Sequence, residues 1–341
     1  MTTWHLFKGQ GDPSTVDFPA PPPWRRFAMR DAPLHNMVEI EGHYDSPYWN
    51  PARTYRTPMR ILDAINAALT LRRPLLLTGR PGSGKSSLIY RVAYELSLGP
   101  VLVWPVNSRT TLKDGLYDYD AIARLQERRL QHDGDASAPQ SGSEPRNMPD
   151  DIGRFITLRA LGTALLPSSR PRALLIDEID KADPDLPNDL LNILEDGWFE
   201  IPELQRHESP EVQVRIADPI ADRADKTAYT VITRGRVSCA EFPFIVMTSN
   251  GEREFPQAFQ RRCIRVDLAP PTEDDVCRIV AAHLGESVAQ DALGNIQEFV
   301  NSEDVAATDQ LLNALYIVHA LNGGNLSDEQ RIKDLLMRPL T

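Results

Sequence analysis

Two short segments carry residue types suited to phosphate chemistry. Gly79-Arg80-Pro81-Gly82-Ser83-Gly84-Lys85-Ser86 matches G-x-x-x-x-G-K-[ST]. Its glycines let backbone N–H groups approach phosphate oxygens with no Cβ in the way. A helix that opens there adds its positive N-terminal end. Lys85 would reach the β and γ phosphates of a nucleoside triphosphate, and Ser86 would hold Mg2+. A chance match somewhere in a chain of this composition is about one in a hundred. The motif also follows a predicted strand and opens a predicted helix, which a plain glycine turn with an exposed lysine would not need.

The second segment, Ala173-Leu174-Leu175-Ile176-Asp177-Glu178, is an apolar strand ending in two carboxylates. Asp177 at the strand end can position Mg2+ through water. Glu178, one residue on, can polarise a water for in-line attack on the γ phosphate. Alone, such a pair is an ordinary strand terminus. Downstream of the phosphate loop it becomes a metal-positioning and water-positioning couple.

Those residues need a scaffold that brings loop and carboxylates together. Met59, Ile61, Leu62, Ile65, Ala68 and Leu69 recur at helical spacing. Pro74 to Thr78 reads as a buried parallel strand, and Ser86 to Leu96 as a helix stopped by Gly99-Pro100. Val101 to Trp104 is the next strand, so strand, helix and strand form a βαβ unit with a right-handed crossover. Phe244 to Met247 is a further core strand, after the one ending at Asp177. Residues 130 to 150 read as a mobile surface loop, rich in Gly, Ser, Asp and Pro. Residues 202 to 240 read as a hairpin insertion, with Val212, Val214 and Ile216 alternating, then Tyr229, Val231 and Thr233. Thr272 to Leu284 is amphipathic and opens a helical C-terminal part. Three domains are expected: 1–50, an irregular Pro-rich and aromatic extension; 51–270, an α/β nucleotide-binding domain with inserts about 110–155 and 202–240; and 271–341, a helical lid. The extension holds Trp4, Phe7, Phe18, Trp24 and Trp49, dense for a linker; it is either a segment docked on the main domain or a neighbour, or a flexible leader.

The 341-residue chain has a net charge of −11, which argues against a protein that grips nucleic-acid backbones. Cys239, Cys263 and Cys277 have no metal-ligand spacing and read as reduced thiols. No run reaches transmembrane length and no apolar signal core opens the chain, so a cytoplasmic location and no membrane contact are expected.

Taken together, several segments resemble the AAA+ superfamily, and within it the MoxR-like branch. They are Gly79 to Ser86, Leu175 to Ala182 (LIDEIDKA), Leu186 to Leu191 (LPNDLL), Phe242 to Asn250 (FPFIVMTSN), Phe255 to Cys263 (FPQAFQRRC) and Asp309 to Ala314 (DQLLNA). The resemblance implies an α/β fold: a parallel-sheet P-loop NTPase core with a C-terminal helical lid and a β-rich insertion. It implies a Mg2+-dependent ATPase that works as a homo-oligomeric ring, a hexamer, and remodels a protein client. A partner bearing a von Willebrand factor A domain is implied by resemblance alone. ATP would be held by Gly79, Pro81, Gly82, Ser83, Gly84, Lys85, Ser86 and Ser87, with Ser86 and Asp177 on Mg2+ and Glu178 as the base. Asn250 resembles the sensor 1 residue that holds the attacking water. Arg262 resembles the arginine finger given in trans to a neighbour, with Arg261 as runner-up. Asn107 is either a polar restraint on Glu178 or a turn residue. The base would be bound around Tyr55 to Ile61. The stretch Ala307 to Leu312 departs from the pattern, because it lacks the sensor 2 arginine. That departure favours the alternative of a nucleotide-dependent switch with little turnover. Gly115, Leu116, Tyr117 and Tyr119 either contact a gripped polypeptide or pack on their own insert.

Overall fold

The structure, a computed structural model, describes residues 4–25, 27, 44–55, 57–135, 152–217, 228–301 and 308–321. In chain order the first elements are α1 (Asn50–Thr54), α2 (Met59–Leu71), β1 (Leu75–Gly79), α3 (Lys85–Glu95), β2 (Leu102–Pro105), α4 (Leu112–Leu116), β3 (Tyr117–Tyr119) and α5 (Ala121–Asp135). There follow β4 (Ile156–Leu158), α6 (Ala160–Ala164), β5 (Ala173–Asp177), α7 (Leu186–Asp196), β6 (Trp198–Glu200), α8 (Pro202–Gln205), β7 (Glu211–Arg215), β8 (Tyr229–Thr233) and β9 (Arg236–Ser238). The last are β10 (Phe244–Ser249), α9 (Gln257–Gln260), β11 (Ile264–Leu268), α10 (Glu273–Leu284), α11 (Glu286–Asp291), α12 (Leu293–Asn301) and α13 (Thr308–Leu321).

The central sheet has five strands in the order β11-β1-β10-β5-β2, all parallel. Its strands read as continuous apolar runs because both faces are covered. Leu75, Leu77, Leu175, Phe244 and Val246 point to one face, against α2 and α3. Leu76, Leu174, Ile176, Ile245 and Met247 point to the other, under α6, α7 and the second sheet. Strands β10 and β5 lie between β1 and β2, so the expected strand–helix–strand crossover spans two intervening strands. The outer strand β11 was not anticipated from the sequence. Its burial pattern is mixed, and it earns its place by pairing with β1 rather than by its own periodicity.

The second sheet is larger than the expected hairpin. Strands β7, β8 and β9 come from the insertion, but the order β3-β4-β7-β8-β9-β6 recruits three further strands. These have three residues each, too few to show alternation. On β8 it is Ile232 that faces the core, while Tyr229 and Val231 are exposed. Helix α5 runs to Asp135, so 130–135 are helical where the composition indicated a loop. The remainder of that stretch lies outside the described residues.

The N-terminal extension docks on its own domain through Leu6, Phe7, Lys8, Gly11 and Arg25. Phe7 is fully buried beside Trp49, Leu62 and Ile65. The Asn66 side chain, also fully buried, accepts from the Leu6 and Phe7 N–H groups at 2.7 and 2.9 Å and donates to the Phe7 carbonyl at 2.9 Å. The Glu95 carboxylate accepts from the Lys8 and Gly11 N–H groups. Arg25 donates to the Leu194 and Glu195 carbonyls at the end of α7. The C-terminal helices close on a small core of their own, with Val276, Val280, Ile296, Leu311 and Leu315 buried. Thr272 and Asp275 form a capping box that starts α10. Among the described residues no helix is long and apolar enough to cross a membrane. Cys239 and Cys263 are buried and Cys277 is partly exposed; burial pushes the first two thiols up to about 12.

Candidate active site

The site forms where the C-terminal ends of β1, β5 and β10 meet the N-terminus of α3. Along β5 and β10, Asp177 and Thr248 continue the alternation of Ala173, Leu175, Phe244 and Val246, which places both on the α3 side of the sheet. Ser86, in the first turn of α3, therefore reaches Asp177, and its Oγ donates to Oδ1 at 2.8 Å. The loop before α3 turns through Gly82 and Gly84, both at positive φ. At Gly84 a Cβ would meet the Tyr55 ring at 3.0 Å, so a side chain there would be strained and crowded.

Lys85 is buried, and its ammonium uses three acceptors: the Gly79 and Arg80 carbonyls at 2.7 and 2.9 Å, and Asn250 Oδ1 at 2.9 Å. Burial lowers its pKa below 10.5, while Asp180, Asp177 and Glu178 oppose that shift. Glu178 sits at φ 60, ψ 48, left-handed for a residue with a Cβ. Its Oε2 accepts from Lys181 Nζ at 2.9 Å. The Asn250 N–H donates to Asp180 Oδ2 at 2.8 Å.

A cavity of about 930 Å3 opens beside these groups, a size suited to a nucleotide. Pro81 to Ser87, Asp177, Glu178, Thr248 and Asn250 line its phosphate end. Tyr55, Pro58 and Arg60 line the far end together with Ile279, His283 and Leu312 of the C-terminal helices. Burial pushes the Tyr55 phenol above its ordinary value, which keeps the ring a neutral wall. Ile61 packs in the core instead and does not line the cavity. Thr308 and Asp309 stand on the lid side, where the sequence has no arginine.

The residues fit a magnesium triphosphate. The Ser83 hydroxyl oxygen is buried and, among the described residues, has no hydrogen-bond partner. The Ser86 and Asp177 oxygens are hard donors of the kind Mg2+ takes, with the rest supplied by water and substrate. Among the described residues no cluster of three His, Cys, Asp or Glu forms a metal cage of its own.

The family model of the AAA domain, dynein-related subfamily, matches residues 74–263. That is more than half of the chain. The chain belongs to the AAA domain family. A comparison with curated proteins finds no match. The AAA assignment carries nucleotide binding with it, and the matched segment runs from the start of β1 through the arginine pair.

Not every sequence candidate joins the AAA site. Arg262 and Arg261 are absent from the cavity lining. Arg262 Nε lies 2.6 Å from Glu195 Oε1, and its Nη1 donates to the Ala258 carbonyl, while Arg261 is exposed. Asn107 caps its own turn by accepting from the Arg109 N–H at 2.9 Å, which is the turn reading rather than a restraint on Glu178. Leu116 and Tyr117 are buried, Tyr117 donates to Glu203 at 2.8 Å, and Gly115 lies under Trp104 where a Cβ would meet the ring at 2.6 Å. Gly115, Leu116 and Tyr117 therefore pack within this chain, against β2 and the second insert. The cavity-lining residues missed include Thr248, Ile279 and His283, and Asp180, which braces the site from behind, was missed as well. Nothing local in the sequence marks Thr248 or Asp180, since their contacts cross between β5 and β10.

Proposed function

We propose that this AAA protein hydrolyses ATP with Mg2+, assembles as a homo-oligomeric ring, a hexamer, and uses turnover to remodel a protein partner. The observation that carries the reading is the convergence of Lys85, Ser86, Asp177, Glu178 and Asn250 on one nucleotide-sized cavity. In this reading the loop N–H groups and Lys85 grip the β and γ phosphates, and Ser86 and Asp177 hold Mg2+. Bound Mg2+ neutralises charge that develops on the phosphoryl oxygens. Glu178 orients the attacking water, and Asn250 holds it from the opposite strand. Lys85 leaves Asn250 for the phosphate, which frees the Asn250 amide for that task.

The ring reading rests on the arginine pair. If either guanidinium serves a phosphate, it serves a neighbour's, since neither lines its own cavity, and that requires head-to-tail subunits. Arg262 is the preferred finger and Arg261 the alternative. The MoxR-like character, with a partner that carries a von Willebrand factor A domain, rests on the sequence resemblance. The net charge of −11 argues against nucleic acid as the client.

Two observations favour a second reading, a nucleotide-dependent switch with slow turnover. Glu178 is paired with Lys181, and the sequence lacks the sensor 2 arginine that the resemblance would place in the stretch Ala307 to Leu312. ATP turnover measured across protein concentration, with mass read on the same samples, separates the two. Turnover that rises with ring assembly and vanishes in Glu178→Gln supports the ATPase. Tight binding without turnover in either protein supports the switch, and equal turnover in both removes Glu178 as the base.

A further inference from the structure

The Thr248 hydroxyl, on β10, stands between the Asp177 carboxylate and the Glu178 backbone N–H. Its Oγ1 donates to Asp177 Oδ1 at 2.6 Å and accepts from the Glu178 N–H at 2.9 Å. A hydroxyl has one proton and two lone pairs, so this geometry uses the proton on the first residue and a lone pair on the second. Thr248 is 1% exposed where it borders the cavity. The Ser86 hydroxyl donates to the same Asp177 oxygen at 2.8 Å. Two hydroxyls on Oδ1 fix the rotation of the carboxylate, and neither bond uses Oδ2.

The contact matters most at Glu178. That residue holds a left-handed backbone conformation, φ 60 and ψ 48, which side-chain-bearing residues avoid unless their surroundings over-determine it. Its N–H has left the strand ladder and needs an acceptor. Thr248 is that acceptor. The stitch is reciprocal: Asp180, 3% exposed and just past Glu178, accepts the Asn250 and Glu252 N–H groups on Oδ2 at 2.8 and 3.2 Å. The end of β10 therefore holds the turn after β5, and that turn holds the end of β10.

We propose that Thr248 is a positioning residue: its single hydroxyl sets both the Asp177 carboxylate that serves Mg2+ and the backbone turn that aims Glu178 at water. The inference deepens the ATPase reading and rests on it for the roles of Asp177 and Glu178. The clamp itself is a property of the free protein.

The test compares Thr248→Val, which keeps the shape and removes the hydroxyl, with Thr248→Ser, which keeps the hydroxyl. In the nucleotide-free protein, amide exchange at Glu178 is expected to accelerate by about tenfold or more in the valine variant. The serine variant should exchange like wild type. With ATP, the valine variant should lose kcat and raise the Mg2+ requirement, each by about tenfold or more, the range for groups that orient metal ligands. KM for the nucleotide should stay near wild type, and serine should restore all three. Wild-type exchange in the valine variant would overturn the proposal. So would a serine variant as impaired as valine, since packing rather than the hydroxyl would then matter. Altered exchange with wild-type kcat and Mg2+ requirement would overturn it too. If valine does not fold, Thr248→Ala is measured in its place. Failure of both to fold beside a folded serine variant would make the hydroxyl a structural need and also overturn it. Wild type and Glu178→Gln with equal turnover would instead remove Glu178 as the base, while the exchange result still decides whether Thr248 sets the turn.

Discussion

Lys85→Met should separate nucleotide grip from fold stability. Methionine keeps most of the aliphatic stem and removes the ammonium. In the free protein that ammonium bonds Gly79 O, Arg80 O and Asn250 Oδ1 at 2.7 to 2.9 Å. Asn250 lines the open cavity, and Gly79 and Arg80 are not buried, so water can take the place of the lysine. Burial also works against the charge, as the lowered Lys85 pKa records. The stability cost is therefore about 1 kcal/mol, the net value of an ordinary hydrogen bond. Binding is different. A triphosphate loses one or two charge-assisted bonds, together about 3 kcal/mol, or about a hundredfold in Kd. Calorimetric titration with Mg-ATP gives the affinity, and thermal unfolding of the same samples gives the stability. An affinity within about threefold of wild type would refute the argument, because less than 1 kcal/mol would then rest on the ammonium.

Three further outcomes are expected. Lys85 is depressed below 10.5 in the free protein, and phosphate favours its charged form, so ATP affinity should fall as pH rises through that lowered pKa. The free protein moves the other way, since the desolvation cost of charged Lys85 is relieved over the same rise; Lys85→Arg should flatten the binding curve, and titrations across alkaline pH check both. Phe7→Ala empties a fully buried site in the docked extension and should cost about 3 kcal/mol, read by denaturant unfolding; a cost under about 1 kcal/mol would mean the extension adds little to the fold. Arg262→Ala should bind ATP normally, because Arg262 does not line its own cavity, yet fail to hydrolyse it. Mixing with Glu178→Gln subunits should restore part of the turnover, and a fully active variant would move the finger to Arg261.

The parts of the fold that the sequence announces are those in which the signal is local. The phosphate loop, the apolar strand ending at Asp177 and the amphipathic start of α10 each declare themselves within about a dozen residues, the span over which periodicity and capping act. What stayed hidden depends on register between distant segments. Strand β11 exists because its backbone pairs with β1, and three strands of the second sheet are too short to carry a pattern. The extension was open between a docked segment and a leader, since its aromatics do not say what buries them; Asn66, far along the chain, decides it by gripping the Leu6 and Phe7 backbone.

The same division explains why the candidate site was legible in its loop and carboxylates but not in its supports. Lys85 and Ser86 are fixed by a helix start, and Asp177 and Glu178 by a strand end. Thr248 and Asp180 gain their partners only because Met247 lies level with Ile176 on the neighbouring strand. A shift of one residue in that pairing would turn Thr248 away from the α3 face and leave the Glu178 N–H without its acceptor. A threonine two positions before Asn250 carries no meaning by itself in the sequence. Its chemistry comes from the β10–β5 register, and that register is set by the alternation of Phe244, Ile245, Val246 and Met247 between two buried faces. The core packing that stabilises the sheet is therefore also what aims the acidic pair, so a variant that slips β10 should lose Mg2+-dependent turnover before it loses the fold.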